Sequence, residues 1–338
     1  MGGAAMSVPL SQKFAVMKYL ARMRRNGAEK FPWVLMLEPT HRCNVSCDGC
    51  GRIREYADTM HLNMSLEECL AAVDECPAPV VSICGGEPTI YPHIADLVKG
   101  CVARGRFVYL CTNALTLKRT LDRYPKDEHL IINIHLDGLA KTHDKIMNLP
   151  GAFQRATEAL TVAKEAGYRV CTNTTVFKES DPQEVIELCR HLQGLGVEAM
   201  LLSPGFSYTA VKADIFLGRE KIRETFRVIW EGVKDLELGN TPVYWDFLRG
   251  EKELQCTAWA NPTRNPNGWK GPCYLITDAH HKTFQDLIRN TPWEKYGTGR
   301  DPRCAQCMVH CGYEASAIQA AGESLKDTWK MFKWSFLS

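Results

Sequence analysis

Short apolar runs alternate with longer amphipathic stretches along most of this chain, and that alternation predicts a parallel sheet assembled from βα units. Runs at 33–38, 80–84, 107–111, 130–136, 168–177 and 199–202 read as six strands. Between them, apolar positions recur at helical spacing. Leu66, Leu70 and Val73 form one such face, and Ile94, Leu97, Val98 and Cys101 a second. Ala156, Leu160 and Ala163 form a third, and Val185, Ile186, Leu188, Cys189 and Leu192 a fourth. Ser65-Leu66-Glu67-Glu68 has the form of a capping box and marks a helix start.

Right-handed crossovers curl six such units into an open α/β structure, a partial (βα)6 barrel whose loops collect at the C-terminal mouth. A flat doubly wound sheet is the alternative, but no G-x-G-x-x-G follows the first strand. The pattern divides the chain into an amphipathic segment at 1–30, the barrel at 31–238 and a cysteine-rich region at 239–338.

Candidate chemistry starts directly after the first strand, where Cys43, Cys47 and Cys50 are spaced x3 and x2. Three thiolates so spaced can hold three irons of a [4Fe-4S] cubane and leave the fourth open to a substrate. Zinc sites also use x2 spacings, so the triplet alone does not decide. Cys84-Gly85-Gly86-Glu87-Pro88, a glycine-rich turn closing the second strand, weighs against zinc. Gly86, Asn113, Asp137, Asn173 and Ser203 all fall at or beyond predicted strand ends, where parallel-strand enzymes keep their reactive groups. Cys111 ends the third strand at the same mouth; its weak S–H bond suits hydrogen-atom donation, and a small core residue is the plain alternative. Nearer the C-terminus, Cys273, Cys304, Cys307 and Cys311 make a quartet for a second cluster or a zinc ion, with Cys256 as a spare; reduced buried thiols are the competing account.

Composition narrows the setting. The 338 residues are 45% hydrophobic, enough to fill a core, and a net charge of +2 provides no basic field for nucleic acid. Fifteen cysteines in a long chain, gathered at metal-type spacings and without a signal peptide, point to a reducing cytoplasm rather than to disulfides. No apolar run approaches the ~20 residues that span a bilayer. Both terminal segments mix basic and apolar residues, with Phe14, Met17 and Leu20 among Lys13, Lys18 and Arg22, and Trp329 and Phe332 among Lys326, Lys330 and Lys333. That mixture suits either peripheral attachment to the inner face of a membrane or packing on the barrel.

The cysteine triplet and the Gly-Gly-Glu-Pro turn together resemble the radical S-adenosylmethionine (SAM) enzymes. The resemblance implies a [4Fe-4S] cluster on Cys43, Cys47 and Cys50 whose open iron chelates SAM, and a reductant such as flavodoxin or ferredoxin. It also implies Gly85, Gly86 and Glu87 at the methionine end of SAM; Asn113, Asp137, Asn173 and Ser203 are candidates for further contacts from their strand-end positions, with a cap on the following helix as the alternative for Asp137. The cysteine-rich region looks like the appendages that carry an auxiliary iron–sulfur cluster in some of these enzymes.

A narrower likeness runs through Phe107-Val108-Tyr109-Leu110-Cys111-Thr112-Asn113-Ala114-Leu115, His135-Leu136-Asp137-Gly138-Leu139, Asn261-Pro262-Thr263-Arg264-Asn265, Pro272-Cys273-Tyr274-Leu275 and Cys307-Met308-Val309-His310-Cys311-Gly312-Tyr313-Glu314. These segments resemble adenosylhopane synthase, a radical SAM transferase of hopanoid biosynthesis. That likeness implies addition of the 5'-deoxyadenosyl radical to the alkene of diploptene, a triterpene, to form adenosylhopane, with Cys111 as hydrogen donor. It also implies an apolar pocket, for which Phe206, Tyr208, Tyr244, Trp245, Phe247 and Trp259 are the candidates. Thr40-His41, Gly49, Cys84 and the stretch 206–212 depart from that family's pattern and bear on the substrate wall. The competing functions are hydrogen abstraction from another lipid or a peptide, and a non-enzymatic iron–sulfur or zinc protein.

Overall fold

A computed structural model describes residues 9–336, so residues 1–8 of the expected 1–30 segment lie outside the described residues. Six parallel strands follow in chain order: β1 (Val34–Leu37), β2 (Val80–Ile83), β3 (Phe107–Thr112), β4 (Leu130–His135), β5 (Arg169–Val176) and β6 (Ala199–Pro204). This is the order expected of six βα units, each strand neighbouring the next.

Period-two alternation sorts the side chains of these strands onto two faces. Leu35, Leu37, Val81, Ile83, Val108, Leu110, Ile132 and Ile134 join the main core beneath the helices. Those helices include Leu66–Glu75, Ile94–Ala103, Ala152–Glu165 and Pro182–Gly194. The opposite face carries Tyr109, Ile131, Cys171 and Ala199 as a small separate cluster toward the strands' N-terminal ends. Ser82, Cys111, Asn133, His135, Asn173 and Ser203 share that inner face nearer the C-terminal ends. The inner face therefore grades from apolar to polar toward the mouth. Helix starts are set by the residues expected to set them: the Ser65 hydroxyl accepts the Glu68 N–H at 3.2 Å and Glu68 accepts the Ser65 N–H at 2.7 Å.

Three further strands extend the sheet past β1. β7 (Thr263–Asn265) runs parallel to β1, and β8 (Gly268–Pro272) and β9 (Thr277–His281) follow antiparallel. They were not legible in the sequence because Asn, Gly, Lys and His dominate them; the free edge of β1 supplies the backbone partners that make them strands.

The first helix, Leu10–Arg25, closes the N-terminal end of the barrel. Its Tyr19 packs with Phe31, Trp33, Ala260 and Ala315, and its Gln12 amide donates to the Tyr109 hydroxyl at 3.3 Å. Among the described residues, no helix is long and apolar enough to cross a membrane.

The aromatic assignment needs correcting. Tyr244, Trp245 and Phe247 do not line a substrate pocket; they lie on the helix Pro242–Leu248, buried in the main core against Phe226, Trp230 and Tyr313. That helix is apolar nearly all round, and such a helix finds water exclusion only inside the protein.

Candidate active site

The three cysteines stand half-buried on the loop after β1. The loop is irregular, so its backbone groups need partners from elsewhere, and the sequence supplies them. Arg54 donates to the carbonyls of Cys47 and Cys50 at 3.0 and 2.6 Å. Asn148 donates to the Ser46 carbonyl at 2.9 Å and to Asp48 Oδ1 at 2.7 Å. Burial pushes the Cys43 thiol up to about 12 and raises Cys47 as well. Metal binding at such thiols displaces their protons.

The Gly-Gly-Glu turn is zipped against the same loop. Gly86 N donates to the Thr40 carbonyl at 3.1 Å and Glu87 N to the Arg42 carbonyl at 2.8 Å. A Cβ on Gly86 would fall 1.9 Å from the Arg42 oxygen, and one on Gly85, whose φ is +106°, would fall 2.8 Å from Glu38 Cβ. The contact therefore excludes any side chain at either position. The Glu87 carboxylate turns inward: it accepts Asn113 N at 2.8 Å, the Thr112 hydroxyl at 2.7 Å and Thr89 N at 3.0 Å. Burial raises its pKa against the pull of those donors. Asn113 then reaches Asn44 Oδ1 at 2.8 Å, so the cluster loop, the glycine turn and the end of β3 form one unit.

Further round the mouth, His135 Nε2 lies 2.6 Å from Asp137 Oδ2, and Asp137 Oδ1 accepts Thr175 N at 2.7 Å. Burial disfavours the imidazolium, but the Asp137 carboxylate outweighs it and holds His135 above its ordinary range. Asp137 does not cap the helix Ala140–Met147, which has no side-chain cap. Asn173 pairs in register with His135 and its half-buried amide makes no hydrogen bond among the described residues. Ser203 is more committed: its hydroxyl accepts His310 N at 3.3 Å and sits 3.5 Å from the Tyr244 hydroxyl.

Cys111 occupies the inner face of β3, with Ser82 Oγ at 3.3 Å and Asn133 Nδ2 at 3.5 Å from its sulfur. Burial raises its pKa, which keeps it an S–H donor at neutral pH. Ser82 and Asn133 lie outside the motifs that mark the site in the sequence. Their signal was present, since each is a polar residue at an inward position of an otherwise apolar run, as in Leu130-Ile131-Ile132-Asn133-Ile134.

A second group forms in the C-terminal region. Cys273, Cys304, Cys307 and Cys311 line one pocket, and Cys256 lines it too. Cys256 therefore stands beside the quartet, and burial and the four neighbouring thiols raise its pKa. Among the described residues, no group of three or more His, Cys, Asp or Glu side chains is arranged to hold a metal ion. A cubane differs from a single ion in setting each cysteine on its own iron, which calls for wider spacing than a tetrahedral zinc site.

Residues 37–192 match the radical SAM superfamily. That match spans just under half of the chain. Residues 200–331 match a domain of unknown function, DUF3463. The chain is 28% identical to the Fe-coproporphyrin III synthase of Methanosarcina barkeri (strain Fusaro / DSM 804) over 155 residues, 44% of this chain and 38% of that protein. It therefore spans well under two thirds of that relative's length. An AdoMet-dependent heme synthase of Nitratidesulfovibrio vulgaris is 25% identical over 329 residues, 86% of this chain and 89% of that protein. The fold is similar to that of Streptococcus suis SuiB bound to S-adenosylmethionine, with a TM-score of 0.66, 18% identity, and 90% of this chain and 78% of that chain covered. SuiB bound to its precursor peptide SuiA gives a TM-score of 0.65 and 16% identity, covering 91% and 77%. The radical SAM family uses a [4Fe-4S] cluster with SAM, and the donor set here suits both: three thiols on one loop and a glycine turn that admits no Cβ. The relatives named here concern tetrapyrroles, so the narrower likeness to adenosylhopane synthase rests on the motif segments alone.

Proposed function

We propose that this radical SAM enzyme adds the 5'-deoxyadenosyl group to the terminal alkene of a triterpene, diploptene, to form adenosylhopane, and that Cys111 quenches the product radical. The motif segments similar to adenosylhopane synthase carry the substrate part of the reading, and the Cys111 thiol on the inner barrel face, within reach of Ser82 and Asn133 and on the strand that leads into Asn113, supports its role as hydrogen donor. When bound, the cluster and SAM supply one electron and a 5'-deoxyadenosyl radical. The chain's residues do the rest. Asn113, Asp137 and Asn173 orient the nucleoside, and the barrel wall keeps the radical from water and from competing C–H bonds.

Addition forms one carbon–carbon bond and leaves a tertiary carbon radical on the triterpene. Cys111 gives that carbon a hydrogen atom and becomes a thiyl radical. An electron from a flavodoxin or ferredoxin and a proton from solvent restore the thiol. Ser82 and Asn133 fix the sulfur during both steps. The five-thiol pocket supports a second iron–sulfur cluster held by four of Cys256, Cys273, Cys304, Cys307 and Cys311.

A second reading is favoured by the tetrapyrrole relatives and by the likeness of fold to SuiB, which was solved with a peptide: hydrogen abstraction from a peptide or other substrate, with 5'-deoxyadenosine released. Anaerobic incubation of the reconstituted protein with SAM, dithionite and diploptene separates the two by mass spectrometry. The adenosyl adduct is the expected product. Free 5'-deoxyadenosine without an adduct selects hydrogen abstraction, and uncleaved SAM removes both readings in favour of a non-enzymatic metalloprotein.

A further inference from the structure

We propose that the outer faces of the first helix and of the last helix, Leu325–Phe336, form one docking surface for an anionic lipid bilayer. On the first helix Leu10, Phe14, Met17 and Ala21 are exposed at i, i+4, i+7 and i+11, one stripe of the helix. The opposite stripe of that helix, Gln12, Val16, Tyr19 and Met23, faces the protein. The last helix repeats the arrangement, with Leu325, Trp329 and Phe332 exposed at i, i+4 and i+7 and Phe336 next in the stripe. Leu325, Trp329 and Phe14 are 92%, 62% and 57% exposed, far beyond what packing on the barrel would leave.

The two stripes join. Lys13 of the first helix hydrogen-bonds the Ser335 carbonyl of the last, and the Phe14 and Phe336 rings lie 6.3 Å apart. Trp329 and Phe332 stack at 5.6 Å along the same ridge, and Phe332 meets Phe336 at 5.2 Å. The result is a contiguous apolar ridge about two helices long, of the kind that marks an interaction surface.

Charge selects the occupant. At the helical period Lys18 and Arg25 flank the first stripe on one side and Arg24 on the other, while Lys326 and Lys333 flank the second. None of these five cations forms an ion pair among the described residues. The first helix contains no acidic residue. The single acid of the last helix, Asp327, is turned inward onto Lys252, and Lys330 is taken by Asp246 at 2.5 Å. An apolar ridge rimmed by unpaired cations suits the boundary between acyl chains and anionic headgroups. A second copy of the chain fits poorly, because a two-fold contact would bring two basic rims together. This surface is independent of what the barrel takes as substrate.

Flotation of the full-length, cluster-loaded protein with phosphatidylglycerol–phosphatidylcholine vesicles tests the assignment, with phosphatidylcholine vesicles as the reference. Binding to the anionic vesicles is expected, weakened by high salt. The triple variant Phe14→Ser/Trp329→Ser/Phe332→Ser should lower partitioning about tenfold or more. Lys18→Glu/Lys333→Glu should remove most of the salt-sensitive part. Circular dichroism and iron content report whether each variant is folded, and Trp329→Ser alone replaces the triple if that one is not. Wild-type protein that stays off anionic vesicles, or a folded triple variant that floats equally well, overturns the proposal. So does a dimer in analytical ultracentrifugation that the triple variant dissolves without any lipid binding, which assigns the ridge to a second copy.

Discussion

Arg52 Nε lies 2.9 Å from Glu38 Oε1, a buried charge contact that ties the segment after Cys50 to the end of β1. Arg52 also stacks on the Tyr274 ring at 4.0 Å and hydrogen-bonds the Tyr274 carbonyl, so the same guanidinium touches the edge of the five-thiol pocket. The cluster loop is thereby fastened to the barrel and to the C-terminal region through one side chain.

Replacing Arg52 by Met strands the Glu38 carboxylate without its main partner. A loss of about 3 kcal/mol is expected, at the low end for a broken buried pair because the Tyr56 hydroxyl still donates to Glu38 Oε2 at 3.4 Å. Urea unfolding of the single variants and of Arg52→Met/Glu38→Gln measures it. The double variant should recover part of the loss, and additive losses would show that the pair is not coupled.

Gly86→Ala drives a methyl group into the Arg42 carbonyl, which is backbone and cannot swing away. The turn and the cluster loop must separate, at a cost of about 1–3 kcal/mol, and SAM affinity should fall with it. Gly194→Ala is the control, since nothing lies within 4 Å of its added Cβ. Equal SAM binding by both variants would count against the zipped turn.

Cys111→Ala should leave SAM cleavage nearly intact while the hydrogen-quenched product drops about tenfold or more, because the sulfur acts after the bond to the substrate has formed. Serine is the sharper substitution: it keeps the polar contact to Ser82 but has too strong an O–H bond to give up a hydrogen atom. Product yield unchanged in both variants would remove Cys111 from the chemistry.

Iron and sulfide counting after anaerobic reconstitution addresses the five-thiol pocket. Two cubanes give about eight irons per chain and one gives about four, so Cys273→Ala/Cys307→Ala should lower the count by about half while Cys43, Cys47 and Cys50 keep theirs. A wild-type count near four, unaffected by that variant, refutes the second cluster.

His143 yields a pH prediction. Its ring is buried, its Nδ1 accepts Asp137 N at 3.2 Å, and burial lowers its pKa to about 4. The unfolded ring titrates near 6.5, so its contribution to stability is complete above that pH and is lost as pH falls toward 4, by about 3 kcal/mol in all. Denaturation at several pH values should show a steeper acid decline for wild type than for His143→Gln. Parallel profiles would contradict it.

Much of the barrel was readable because its six strands are apolar runs whose period matches burial, and Ser65 and Glu68 announce a helix by local chemistry alone. The cluster cysteines and the glycine turn were legible for the same reason: three spaced thiols and two adjacent glycines carry their chemistry in residue type and spacing. The place of Cys256 beside the other thiols and the burial of the aromatic helix Pro242–Leu248 were not, since a thiol far along the chain joins the others only when β8 and the last cysteines fold onto one pocket.

The sequence on its own determined the βα alternation, the capped helix starts and a thiol-rich loop beside a side-chain-free turn, because these depend on neighbours a few residues apart. Tertiary structure decided which inward polar groups surround Cys111, that Glu87 turns into the protein, that β7 to β9 continue the sheet, and that the two end helices share one exposed ridge. Each of these rests on contacts between segments far apart in the chain, Phe14 with Phe336 above all, and such contacts are fixed by how the layers pack and not by any local pattern.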